Sequence, residues 1–298
     1  MTESAGAAEF REARKRGSVA ALATRSQRDL LECVAAHPDL FPDRPFDHTL
    51  VSAVALANAF GSPDATADRV RVANRTALWI FAVDWLLDHV AATRAEVERL
   101  VEGCLDVADG RPPSPGFSLG RFLAGLRAEM AAAPAFAGRE VLWMDALRDM
   151  LTAMAREWDW KAAAREGETL PKLEEYLGNA DNFGSSFVNV SHWIHGGDPE
   201  TLRRLDELRI ASDEVQRVLR LLNDLATYER DMAWGDLNAQ MLGVGRDEVL
   251  ERIEALTEEC WRLFAPLRDP CPDEVAYLER QLGYSAGFYG GADYWGEL

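Results

Sequence analysis

Val215-Gln216-Arg217-Val218-Leu219-Arg220-Leu221-Leu222-Asn223-Asp224-Leu225-Ala226-Thr227-Tyr228-Glu229-Arg230-Asp231 is the stretch on which the fold turns. Val215, Val218, Leu219, Leu222 and Leu225 recur at three and four residues, the spacing of one face of an α-helix. Val215, Leu219, Asn223, Thr227 and Asp231 stand at every fourth position, so this file changes from apolar to oxygen-bearing midway along the helix. Amide, hydroxyl and carboxylate oxygens on successive turns make a donor set suited to a hard cation such as Mg²⁺. Asp224 and Glu229 fall off the file and read as solvent-facing or ion-paired. An N-cap cluster at a helix end would use similar residue types, but here apolar periodicity runs into Asn223 and helix formers follow it.

The same pattern extends over the chain. Ala, Leu, Glu and Arg dominate, with few β-branched runs. Breakers cut the sequence at 38–45, 61–63, 110–116, 133–138, 167–171, 196–199, 243–245 and 266–272. The expected architecture is all-α: one domain over residues 1–298, of about ten helices, with about the first 20 residues as a flexible extension. A chain of 298 residues is long enough for a sizeable core. Lys and Arg number 32 against 50 Asp and Glu, a net charge of −18, which argues against nucleic acid and anionic membrane surfaces as partners. No apolar run approaches the roughly 20 residues of a membrane span. The N-terminus lacks the apolar core of a signal peptide. Cys33, Cys104, Cys260 and Cys271 are far apart without paired spacing, and read as free thiols of a cytoplasmic protein.

A second acidic patch lies upstream. Ala77, Ile80, Phe81, Asp84 and Asp88 run along one helical face. Four residues of rise separate the two carboxylates by about 6 Å along the axis. Two carboxylates on an apolar face are costly without a counter-charge. A divalent cation would supply one; a solvated helix end would remove the need.

The two patches together carry a resemblance. Residues 223–231 resemble the second metal motif of class I terpene synthases, N-D-x-x-(S/T)-x-x-x-E, with Asp231 in place of the final Glu. Asp84 to Asp88 resembles the family's D-D-x-x-D motif, with Trp85 in the second slot. Motif order and separation fit, as do Gly235-Asp236-Leu237-Asn238 and Leu170-Pro171-Lys172-Leu173-Glu174-Glu175-Tyr176-Leu177. The resemblance runs from about Leu78 to Tyr294, and no D-x-D-D motif of protonation-initiated cyclases occurs. It implies a helical barrel around a central apolar cavity, with three Mg²⁺ ions and a prenyl diphosphate substrate. Catalytic and metal-holding roles then fall to Asp84, Asp88, Asn223, Thr227 and Asp231. Arg230, Asn179 and Tyr294 are the implied diphosphate contacts; Trp79, Phe81, Trp158, Gly184, Phe187 and Trp193 are the expected cavity residues. For any one of these aromatics, plain core packing is the commoner fate. The resemblance is also compatible with a homodimer.

Two departures matter. Ala180 stands where many members carry a diphosphate-sensing arginine, and Asp293-Tyr294 where many carry Arg-Tyr. The free site is therefore expected to be strongly acidic, with metal and diphosphate binding coupled. Residues 176–186, with Gly184-Ser185-Ser186 as a helix break, resemble bacterial diterpene cyclases, including kaurene-synthase-like enzymes. This points to a twenty-carbon substrate, geranylgeranyl diphosphate or a bicyclic diterpenyl diphosphate. The alternatives are a sesquiterpene cyclase, another prenyltransferase of this fold, or a non-catalytic helical homologue. Chain elongation would want two aspartate-rich motifs, which this sequence lacks. Loss of the second Asp and of the arginines is what favours a non-catalytic protein.

Overall fold

Each breaker falls at a helix end or between helices in the computed structural model, which describes residues 5–296. In order the helices are α1 (Ala5–Ala36), α2 (His48–Gly61), α3 (Ala67–Trp85), α4 (Arg94–Ala108), α5 (Ser118–Ala131) and α6 (Glu140–Arg165). Then follow α7 (Leu173–Leu177), α8 (Ser185–Gly196), α9 (Pro199–Arg203), α10 (Leu205–Trp234), α11 (Arg246–Phe264) and α12 (Pro272–Phe288). α7 and α9 have five residues each; the other ten match the expected number. No strand occurs among the described residues. The expected flexible extension spans about the first 20 residues. Residues 1–4 lie outside the described part, but α1 is helical from Ala5, and Val19, Leu22 and Ala23 pack with Ala59 of α2 and Val70 of α3.

Local chemistry sets the boundaries. Asp47 accepts from the amides of Thr49 and Leu50 to start α2, and Thr66 caps α3. Thr93 and Glu96 form a reciprocal capping box on α4. α3 ends in a wider π-type turn, Leu86–Val90, closed by the Ala91 amide donating to the Leu86 carbonyl at 2.8 Å. Asp84 and Asp88 thus lie on either side of a change in helical pitch, not on one regular helix. Gly184 breaks the chain as expected. Its φ of +78° is the left-handed conformation, and an added Cβ would lie 2.9 Å from Ile80 Cγ2 and 3.1 Å from Met150 Sδ. Glycine is required there by both angle and space.

α10 packs against α8, α11 and α12; α3 packs against α1, α2, α5 and α8. Aromatics of α3, α6 and α8 pack into the core, and four expected cavity residues are among them rather than on the cavity. Trp79 is fully buried and donates to the Leu119 carbonyl at 3.1 Å. Phe187 lies between Trp79 and Trp143, with centroids at 6.3 and 5.5 Å. Trp158 donates to the Ala91 carbonyl at 3.3 Å, and Trp193 packs edge-on against Tyr277. All four rings stabilise the core, because helices this close bury whichever large side chains face the seam. The four cysteines are free.

Candidate functional site

A cavity opens among the end of α3, the middle of α10, the turn before α8 and the segment after α12. Ala77, Ile80, Phe81, Val188 and Leu219 give it apolar walls, and Gly184 lies at its kink. Asp84, Asp88, Asn223, Arg230, Asp231 and Asp236 gather on the same cavity. Aromatic rings crowd around them: Phe81 contacts Tyr294 and Trp295, with centroids at 5.2 and 5.3 Å. Trp85 contacts His89, Trp295 and Phe46 at 4.6, 6.0 and 6.4 Å. The residue in the second aspartate slot therefore adds aromatic packing rather than oxygen.

On the α3 side, Asp84 has no hydrogen-bond or ion-pair partner among the described residues. Burial, followed by the charges of Asp88 and Asp236, pushes its carboxyl well above the usual carboxylate range. Asp88 is raised by burial in the same way, but is held down by an ammonium. That ammonium is Lys161 of α6, with Nζ 2.7 Å from Asp88 Oδ1 and 2.8 Å from Asp236 Oδ1. Burial opposes its charge, yet Asp88, Asp236 and Glu157 together hold its pKa above the ordinary lysine value.

On the α10 side, the polar residues form a second, buried file. Gln216, Arg220, Asp224, Thr227 and Asp231 are all buried. Asp231 Oδ2 accepts from Thr227 Oγ1 at 2.6 Å and from Asn238 Nδ2 at 2.9 Å, and Asp231 is raised by burial despite these bonds. Thr227 Oγ1 also lies 2.9 Å from the Asn223 carbonyl; it stands behind Asp231 and does not line the cavity, whereas Asn223 does. Asp224 is not solvent-facing: it is 3% exposed and borders the cavity from within α10. Its Oδ2 accepts from Tyr176 Oη at 2.9 Å and from the Ala239 amide at 3.1 Å, and burial pushes its carboxyl up to about 7. Glu229 is exposed, as expected.

The cavity is acidic as expected, lined by Asp84, Asp88, Glu157, Asp224, Asp231 and Asp236, but the acidity is compensated in part. Two guanidinium groups, Arg220 and Arg230, line the cavity, and the buried Lys161 ammonium stands behind Asp88 and Asp236. Arg220 pairs with Glu157 at 2.6 Å, donates to Asn182 and stacks 3.8 Å over the Tyr176 ring. Arg230 pairs with Asp293 at 2.7 Å and Asp231 at 3.3 Å, so Asp293 is a partner of the cation rather than a stray charge. The Nε atoms of both arginines are buried without a partner. Asn179, expected on the diphosphate, is turned away: it is 1% exposed and its Nδ2 donates to the Ala153 carbonyl at 2.8 Å. Asn182, three residues on, lines the cavity in its place, and Tyr294 lines it as expected. Sequence reading missed Lys161, Arg220 and Glu157. Arg220 had a signal, since Gln216, Arg220, Asp224, Thr227 and Asp231 repeat at helical spacing. Lys161 had none, because its partners come from distant segments.

The donor chemistry fits a hard divalent ion. Asp84 offers a carboxylate free of protein partners, and Asn223 and Asp231 bring oxygens to the same cavity. The family model described as terpene synthase family 2, C-terminal metal binding, matches residues 75–263. The ent-pimara-9(11),15-diene synthase of Streptomyces sp. (strain KO-3988) is 26% identical over 272 residues, 90% of each chain. The linalool/nerolidol synthase of Streptomyces clavuligerus, solved with 2-fluorogeranyl diphosphate, superposes with a TM-score of 0.68 at 18% identity, over 90% of this chain and 97% of that one. The 2-methylisoborneol synthase of Streptomyces coelicolor A3(2), solved with Mg²⁺ and 2-fluoroneryl diphosphate, gives 0.67 at 17% identity, over 91% and 90%. Among the described residues no helix is long and apolar enough to cross a membrane.

Proposed function

This chain belongs to the terpene synthase family, whose members are lyases that cyclise prenyl diphosphates, and from that premise we propose that it is a magnesium-dependent diterpene cyclase. The observation that carries the proposal is one cavity lined by Asp84 from α3, by Asn223 and Asp231 from α10, and by apolar side chains. Asp84, Asn223 and Asp231 would hold the metal, with Thr227 behind Asp231 and Asp88 beside them, and by family resemblance three ions. Bound Mg²⁺ supplies charge neutralisation and Lewis acidity to the departing diphosphate. Arg220 and Arg230 offer N–H donors to its oxygens, in place of the arginines missing at Ala180 and Asp293. Phe81, Tyr294 and Trp295 line the cavity and would offer aromatic rings to an allylic cation, and Ile80, Val188 and Leu219 would keep water from it.

The twenty-carbon substrate is supported by the sequence around Tyr176 to Ser186 and by the likeness to an ent-pimaradiene synthase. Geranylgeranyl diphosphate and a bicyclic diterpenyl diphosphate both fit this reading. The acidic chain with free thiols suits a cytoplasmic enzyme. Incubation with ten-, fifteen- and twenty-carbon diphosphates and a bicyclic diphosphate, with and without Mg²⁺, tests the reading by gas chromatography and mass spectrometry. A cyclic diterpene from a twenty-carbon substrate, formed only with Mg²⁺, is expected. A longer diphosphate product, or turnover confined to shorter substrates, contradicts it.

A further inference from the structure

We infer that Lys161 is a resident counter-cation of the aspartate-rich wall: it commits Asp88 to Asp236 and leaves Asp84 as the carboxylate of that wall presented to a metal ion. The inference rests on the proposed function of the same site. Lys161 is buried with its side chain 2% exposed, so its stem cannot carry the ammonium to water. Two of its three N–H donors are met by Asp88 Oδ1 at 2.7 Å and Asp236 Oδ1 at 2.8 Å. Asp88 belongs to the π-type turn after α3 and Asp236 to the turn after α10, so one ammonium from α6 ties three segments together. Glu157, one turn earlier on α6, is engaged instead by Arg220 and Asn182.

The two aspartates of the motif are therefore unequal. A divalent ion reaching Asp88 must compete with an ammonium already held by two carboxylates, and would stand in like-charge contact with it. Asp84 lines the same cavity with no partner to displace. Removing one member of a buried ion pair strands the other charge, so Lys161 cannot be lost without releasing Asp88 and Asp236 together. Both would then be available to a cation. Asp88 acts in this arrangement as a positioning residue, joining the end of α3 to the end of α10 through Lys161.

The test is Mn²⁺ binding to the purified protein, read by electron paramagnetic resonance of the free ion, first alone and then with inorganic diphosphate. Asp84→Asn should weaken binding about 30-fold, whereas Asp88→Asn should weaken it about threefold or less. Lys161→Met should tighten Mn²⁺ binding about tenfold in the absence of diphosphate, by freeing two carboxylates. Lys161→Met combined with Asp236→Asn frees one carboxylate and should give a smaller gain. This double variant and Asp88→Asn decide the matter if Lys161→Met alone does not fold, as judged by circular dichroism. Equal losses at Asp84 and Asp88, or a folded Lys161 variant with no gain, overturn the inference alone. Unchanged Mn²⁺ binding in both Asp84→Asn and Asp231→Asn overturns the metal site itself, and the inference with it.

Discussion

Asp88 on the α3 side is held by an ammonium from α6, while Asp231 on the α10 side is held by the Thr227 hydroxyl and the Asn238 amide. An ammonium removes charge as well as fixing position. Hydroxyl and amide donors fix position and leave the negative charge in place, apart from the share Arg230 takes at 3.3 Å. The α3 wall thus commits one of its two carboxylates to internal cohesion, whereas on the α10 wall Asp224 is bound by Tyr176 and the Ala239 amide, and Asp231 is aimed by neutral donors with Arg230 beside it. Motif residues that look equivalent in sequence are made different by what stands behind them.

The largest effects are expected from removing Asp84 on one wall and Asp231 on the other. Asp84→Ala and Asp231→Ala should each lower kcat/KM by about 1000-fold while far-ultraviolet circular dichroism is retained. Near-normal turnover in either folded variant would remove that wall from the site. The next largest effect belongs to the donors behind Asp231. Thr227→Ala and Asn238→Ala should raise the Mg²⁺ concentration needed for half-maximal rate by about 10- to 100-fold, the range seen when partners of metal ligands are lost. A titration superimposable on the wild type would show that these bonds do not aim the carboxylate.

Gly184→Ala serves as a control that touches neither wall's carboxylates. Its positive φ and the close approach of Ile80 and Met150 should cost about 1–3 kcal/mol and lower Tm by several degrees. Mn²⁺ affinity should be unaffected in the folded fraction; a Tm equal to wild type contradicts the strain argument.

The smallest effect is the pH dependence of stability in chelator. Asp84 and Asp88 are raised, chiefly by burial, and Asp88 sits at about 6. A carboxyl with a raised folded pKa contributes stability that is fully present below its unfolded value, about 4, and is lost as pH rises through the folded value. Tm should therefore fall as pH climbs through about 6, and fall less in Asp84→Asn. Lys161 stays charged across this window because its pKa is raised, so it does not mask the trend. A steeper fall in Asp84→Asn than in the wild type contradicts the assignment.

Much of this is legible in the sequence. Period-four patterning and Gly/Pro breakers give ten long helices, since both report local backbone preference. Asn223, Asp231, Asp84 and Asp88 reach one cavity as their motifs imply. The aromatics were less readable. Phe81 lines the cavity while Trp79, two residues earlier, is core, because ring identity does not say which neighbour a helix face meets. Asp224 reads as solvent-facing or ion-paired, since Tyr176 and the Ala239 amide that satisfy it come from separate segments.

The sequence by itself determined the helices, their limits and the oxygen-bearing positions, because each depends on residues within a few turns of one another. Tertiary structure alone decided which charges are compensated. Lys161 meets Asp88 and Asp236, Arg220 meets Glu157, and Arg230 meets Asp293 only after α3, α6, α10 and the segment after α12 converge. A buried carboxylate's readiness for a cation depends on the nearest opposite charge, and that distance is set by packing rather than by spacing along the chain.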